Sequence, residues 1–280
     1  MSSQVARPRR RMSRWVDVAL LLAVVLWIAG IEPRWIEVTQ DVAPIRGLPE
    51  AAEGLRIAVL TDIHHGPWLS RGRVRAIVSR TNALQPDVIV ILGDVVHRDA
   101  RYIAPVWEEL SRLQAPLGVY AVLGNHEHWE GAGESRQAIL GAGVENLEGR
   151  AVQLAGGRNA LYLVGLGELM ETRPSLTEAM RAVGQDDVAI VITHNPDVFE
   201  QQHDRRARLW LAGHTHGGQI YLPWLFRAWV PSLYGQKYRA GWVERDGCRI
   251  YVSRGLGCIT PPVRLNCRPE LPVIELRRAP

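Results

Sequence analysis

The chain has 280 residues, 47% of them hydrophobic and 22% charged, so it can bury a full core, and disorder is excluded. Its formal net charge of +4 is carried largely by Arg7, Arg9, Arg10, Arg11 and Arg14, which leaves the remainder nearly neutral and argues against a nucleic-acid partner. The three cysteines, Cys248, Cys258 and Cys267, lack any CxxC spacing and read as ordinary thiols, or one incidental disulfide between Cys258 and Cys267, not as a zinc ribbon.

The basic segment 1–14 precedes an apolar run at 15–31, whose core "VALLLAVVLWIAGI" (18–31) holds no charge. Seventeen helical residues span about 25 Å, close to a hydrocarbon core of about 30 Å, which predicts a single transmembrane helix near the N-terminus. The arginines should stay cytoplasmic and carry the body across the inner membrane, although a body on the cytoplasmic face is the other option. No AxA cleavage pattern follows, so a retained anchor is expected, while the adjacent arginines also fit a twin-arginine export signal. Residues 32–54, with Pro33, Pro44 and Pro49 and little periodicity, read as a linker near the bilayer surface.

From Leu55 onward short apolar runs alternate with amphipathic segments, the pattern of an α/β domain over 55–280. Strands are predicted at 55–61, 88–92, 118–123, 161–166, 188–193 and 208–212. Ser70 is placed to cap a helix whose apolar positions are Val74, Ile77, Val78 and Leu84, with Arg71, Arg73, Arg75 and Arg80 forming a solvated face.

The ends of these strands carry the chemistry, as open α/β sheets assemble sites from their loops. They deliver Asp62 and His64, then Asp94, then Asn125, His126 and Glu127, then His194, and finally His214 with His216. Each has an ordinary explanation taken alone: a cap, a turn, a core histidine. Together Asp62, His64, Asp94, Asn125, His194, His214 and His216 are oxygen and nitrogen ligands in too great a number for one tetrahedral ion, and they suit two ions with a shared carboxylate. In an extended segment His214 and His216 would face the same side and reach ions about 3.5–4 Å apart, with Gly213, Gly217 and Gly218 keeping the backbone tight.

In order and spacing, DxH at Asp62 and His64, GD at Gly93 and Asp94, GNHE at Gly124 to Glu127, the lone His194 and GHTH at Gly213 to His216 resemble the calcineurin-like metallophosphoesterase superfamily. The resemblance covers 55–280 and implies a four-layer α/β/β/α sandwich. It implies two divalent metal ions (Mn, Fe or Zn), one held by Asp62, His64, Asp94 and His216, the other by Asp94, Asn125, His194 and His214. It further implies phosphoester hydrolysis by hydroxide bridging the two ions, with His126 as proton donor to the leaving oxygen. Phosphoprotein phosphatases of the superfamily place an aspartate three residues after the bridging aspartate, where it orients that histidine; here the position is His97. His65, His128 and Glu130 lie near the motifs and read as supporting or surface residues.

The flanks bear on the substrate. After the paired histidines, Trp224, Leu225, Phe226, Trp229 and Val230 would either pack inside or form an apolar lip that touches lipid. The span, "THNPD", "GHTHGGQ" and the tail "PPVRLNCRPEL" are similar to the membrane-anchored bacterial branch of the superfamily, which implies a membrane-associated or lipid-linked substrate such as UDP-2,3-diacylglucosamine. The alternatives are a general or cyclic-nucleotide phosphodiesterase and a non-catalytic, metal-dependent lipid-binding protein.

Overall fold

The computed structural model describes residues 14–157, 159–223, 225 and 229–279; the arginine-rich segment 1–13 and the ring residues Trp224 and Phe226 lie outside the described residues. Two six-stranded mixed sheets face each other. The first is built from β1 (Glu37–Arg46), β2 (Arg56–Leu60), β3 (Val88–Ile91), β4 (Val119–Ala121), β5 (Glu145–Asn146) and β12 (Glu270–Ala279), in the order β1-β12-β2-β3-β4-β5. The second contains β6 (Arg150–Ala155), β7 (Leu161–Gly165), β8 (Val188–Ile192), β9 (Ala207–Ala212), β10 (Gly241–Arg245) and β11 (Cys248–Val252), in the order β10-β11-β9-β8-β7-β6.

The central strands are apolar throughout because both of their faces are covered, as expected for parallel strands. Ile57 and Val59 of β2 meet Leu161, Leu163, Ile190 and Leu211 of the other sheet in the middle layer. Ala58 and Leu60 point the opposite way, against α2 (Arg71–Ala83), α3 (Ile103–Leu110) and α4 (Asn125–Gly141). The outer face of the second sheet is closed by short helical segments that bring Leu176, Met180, Val198 and Phe199 over Val164, Val191 and Trp210. This is the four-layer α/β/β/α arrangement, and all six predicted strands are present.

Three features differ from the sequence expectation. Residues 32–54 are not an irregular linker, since β1 pairs in parallel with the whole of β12, from Glu37 opposite Glu270 to Arg46 opposite Ala279. Pro44 is tolerated there because β1 is an edge strand, where a missing N–H breaks no ladder on the open side. Nor are Arg71 and Arg75 merely solvated: both donate to Glu109, at 2.6 and 2.8 Å, clamping α3 to α2. Ser70 occupies the N-cap position of α2, but its hydroxyl makes no capping hydrogen bond.

The apolar segment is helical. Together with the turns that continue α1 (Arg14–Val25), it runs over Trp15–Arg34, 20 residues that include an 18-residue stretch of mean hydropathy 2.1, long and apolar enough to cross a membrane by length and composition. Its side chains, such as Leu20, Leu21, Leu22 and Leu26, project away from the body. The lower end is tied down: Ile28 accepts from Arg264 N at 2.8 Å, and buried Glu32 accepts from Cys267 N at 2.8 Å.

Candidate metal centre

The chemistry gathers at the C-terminal ends of β2, β3, β8 and β9 and at the start of α4. Tight turns are needed to fold several ligands into one place, and the backbone records it: Asp62, His64, Asp94, His214 and His216 all sit at φ between 50° and 71°. Non-glycine residues avoid that left-handed region unless the surroundings hold them there. Gly213 lies where a Cβ would come within 2.1 Å of Thr61 Oγ1 and 2.5 Å of Asp62 Oδ2, so no side chain fits. Gly124 is equally confined, with Asp94 Oδ1 2.3 Å from the place of a Cβ.

Two ligand clusters result. Asp62, His64 and His216 form one; Asp94, His194 and His214 form the other; a third close group joins His64 to His97 and His126, which are not among the predicted ligands. Asp94 lies between them, its Oδ2 3.6 Å from His64 Nε2 and 3.3 Å from His194 Nε2. Asn125 Oδ1 joins the second cluster 3.1 Å from His194 Nε2. Each of the seven predicted ligands is therefore brought in. The extended segment expected for His214 and His216 is not: the chain turns from left-handed His214 through right-handed Thr215 to left-handed His216, and this reversal sends the two rings to different clusters.

The donor chemistry tests whether cations fit. His194 Nδ1 lies 2.7 Å from the Leu92 carbonyl, which can only accept, so Nδ1 carries the proton and Nε2 presents a lone pair. That lone pair faces Asn125 Oδ1, His214 Nδ1 and Asp94 Oδ2. In the other cluster His64 Nε2 and His216 Nε2 stand 3.0 Å apart, with Asp62 Oδ1 buried, unpaired and 3.2 Å from His216 Nε2. Electron-rich atoms converging in a dry site need positive charge at their centre.

The protonation equilibria of three of the four ligand histidines agree. Burial pushes His64 and His216 well below the ordinary histidine range and His214 down to about 3, so these rings present lone pairs at neutral pH. Burial also disfavours charge on His194, but Asp94 and Asp62 outweigh it and push the ring up to about 10. A proton there answers the same surplus of lone pairs that a cation would. Burial likewise opposes ionisation of Asp94, which His194 nonetheless holds well below the carboxylate range, whereas burial raises Asp62 to about 6.

His126 donates its backbone N–H to Asp94 Oδ1 at 2.9 Å, and its ring lies 4.7 Å from that of His64 between centroids. Among the described residues no carboxylate pairs with its ring, and its buried Nδ1 has no partner. His97 is the neighbour, 5.1 Å away, with both of its own ring nitrogens buried and unpaired and its pKa lowered to about 4 by burial and by His126. The acid that orients the histidine in phosphoprotein phosphatases thus has no counterpart at this position. His65 Nδ1 donates to the Leu69 carbonyl at 2.8 Å and supports its own loop; His128 lies 3.8 Å from Glu148.

Sequence reasoning quoted Glu127 without giving it a task. Its buried carboxylate accepts from the N–H groups of Asp94 and Val95 at 2.7 Å and of Gly124 at 2.8 Å, which locks the turn bearing Asp94 to the start of α4. Arg264 was overlooked as well. Fully buried, it donates to the carbonyls of Gly257, Arg254, Cys267 and His216, and so fixes the backbone under the paired histidines. The three cysteines are free thiols.

Of the apolar residues that follow the paired histidines, Leu225 is 85% and Trp229 70% exposed, whereas Val230 is buried. The segment adjoins the site through the Pro231 carbonyl, which accepts a hydrogen bond from the His214 ring.

Two buried clusters of lone pairs sharing one aspartate, at the strand ends of a four-layer sandwich, define a dinuclear phosphoesterase scaffold. Residues 55–218 match the family model of the calcineurin-like phosphoesterases, and the chain belongs to that family. It is 29% identical over 255 residues to the uncharacterized metallophosphoesterase YkuE of Bacillus subtilis, covering 88% of this chain and 87% of that one. Phosphodiesterase YaeI of Escherichia coli is 28% identical over 88% of this chain and 90% of its own length. A transmembrane protein with metallophosphoesterase domain from Danio rerio is 28% identical over 95% of this chain, which spans 63% of that protein's length. The protein is a metal-dependent hydrolase acting on phosphoester bonds.

Proposed function

We propose that this hydrolase acts on a membrane-associated or lipid-linked phosphodiester or pyrophosphate, of which UDP-2,3-diacylglucosamine is one example. The observation that carries this reading is the exposed apolar pair Leu225 and Trp229 on the segment that touches His214, in a chain with an apolar helix of membrane-crossing length. Asp62, His64, Asp94 and His216 would hold one divalent ion; Asp94, Asn125, His194 and His214 would hold the other. The pair of ions supplies Lewis acidity that makes water nucleophilic near neutral pH and neutralises phosphate charge. The protein's own part is to keep three histidines neutral, to keep Asp94 ionised between the clusters, and to deliver a proton from His126 to the departing oxygen. Orientation of His126 rests on its backbone bond to Asp94 and on packing against His97 and Trp129, 4.9 Å away between ring centroids.

Chelation followed by Mn²⁺ should abolish and then restore turnover of bis-p-nitrophenyl phosphate. The restored enzyme should favour UDP-2,3-diacylglucosamine over its deacylated counterpart by at least about tenfold in kcat/KM. Equal rates would remove the lipid from the assignment and favour a general phosphodiesterase; no turnover with any common divalent ion would favour a non-catalytic lipid-binding protein. We also place the body on the extracytoplasmic side of the inner membrane, because the arginines of 1–14 favour a cytoplasmic N-terminus; that side favours an envelope phosphodiester, whereas UDP-2,3-diacylglucosamine requires the body on the cytoplasmic face. Protease added to spheroplasts should then digest an extracytoplasmic body, and a fully protected body would reverse the orientation.

A further inference from the structure

The apolar helix ends among arginines. Arg73 donates to the Pro33 carbonyl at 3.0 Å, Arg80 to Ile36 at 3.2 Å and Arg268 to Trp35 at 3.1 Å, so α2 and the C-terminal tail both grip the four residues at the helix exit. Arg34 folds back on the helix to donate to Ala29 and Gly30. Among the described residues, neither Arg34 nor Arg73 pairs with a carboxylate; each donates only to carbonyls.

Arg34 and Arg73 line a cleft of about 280 Å³, together with Ala29, Trp68, Leu69 and Gly257. Arg73 was expected to belong to a solvated face, yet it is half-buried, and both burial and the like charge of Arg34 disfavour its ionised form. Two guanidiniums held in one recess without an acid are relieved by an anion, and their forked donors match phosphate oxygens. Trp68, 45% exposed at the cleft, and Trp35, 50% exposed beside the helix exit, are the side chains that favour the level of lipid headgroups. None of the seven predicted ligands lines the recess, but its inner wall includes Gly257, whose backbone packs directly on the Ile63 carbonyl between Asp62 and His64.

We infer that this cleft is a binding site for the phosphate of an anionic lipid headgroup, held by Arg34 and Arg73 and flanked by Trp68. It would seat the body against the bilayer and brace the turn carrying Asp62 and His64 from behind. The site does not depend on which phosphoester is hydrolysed.

The test uses the full chain in a neutral detergent, melted with dioctanoyl phosphatidylglycerol, dioctanoylglycerol or inorganic phosphate. Phosphatidylglycerol should raise the melting temperature, and R34Q/R73Q should weaken its apparent affinity by at least about tenfold, which is about 1.4 kcal/mol. Dioctanoylglycerol should have no effect. The R34Q/R73Q shift is read against that variant's own lipid-free melting temperature, and the variant should turn over bis-p-nitrophenyl phosphate normally, whereas R34K/R73K should retain part of the lipid response. An undiminished lipid shift in R34Q/R73Q would overturn the site. If inorganic phosphate at equal concentration gave the same arginine-dependent shift, the lipid would be overturned as the source of the anion.

Discussion

Asp94→Asn should lower hydrolysis of bis-p-nitrophenyl phosphate by at least about a thousandfold, on the order of 4 kcal/mol of lost stabilisation. The substitution preserves shape, so the Oδ1 bond from the His126 backbone can persist, but it removes the one charge that lies between both clusters, 3.6 Å from His64 Nε2 and 3.3 Å from His194 Nε2. An asparagine that keeps this bond turns its amide NH2, which cannot ligate a cation, toward both clusters in place of the ionised Oδ2. Each cation then loses affinity together, so metal content measured on the purified variant should fall in step with the rate. A correctly folded, metal-free Asp94→Asn enzyme with near-normal turnover would refute the mechanism.

His126→Ala should leave metal content intact and slow the reaction by about 10²–10⁴-fold on a substrate with a poor leaving group. The loss should shrink with p-nitrophenolate, which departs without a proton. This contrast separates a proton donor from a structural support, because a collapsed pocket would slow both substrates alike. His126 adjoins the clusters without belonging to either pair of ligand sets proposed above, and its removal leaves the Glu127 bonds to Asp94, Val95 and Gly124 in place. Full activity on the poor leaving group would remove its assignment as an acid.

The centre of this molecule was legible because burial on both faces turns strands such as Val88–Ile91 and Val188–Ile192 into unbroken apolar runs. Their ligands follow at once, so order along the chain and position in space coincide. Edges were harder. The Glu37–Arg46 strand alternates buried Ala43 and Ile45 with exposed neighbours only in its second half, and it carries Pro44; nothing in that stretch announces a partner more than two hundred residues away. Backbone handedness was invisible too. That His214 and His216 divide between two clusters by a left-handed, right-handed, left-handed reversal, not by the pleat of a strand, cannot be read from residue types that all ordinarily avoid positive φ. Arg264 was missed for a different reason: a lone arginine in a proline-flanked tail looks solvated, and only the fold reveals the carbonyls that surround it.

The most direct measurement is anomalous diffraction from crystals of the Mn²⁺-loaded protein, with metal content determined on the same sample. Two peaks about 3.5–4 Å apart are expected, one against Asp62, His64 and His216, the other against His194 and His214, with Asp94 touching both. A single peak, or none, in protein that still hydrolyses bis-p-nitrophenyl phosphate would contradict the shared dinuclear centre.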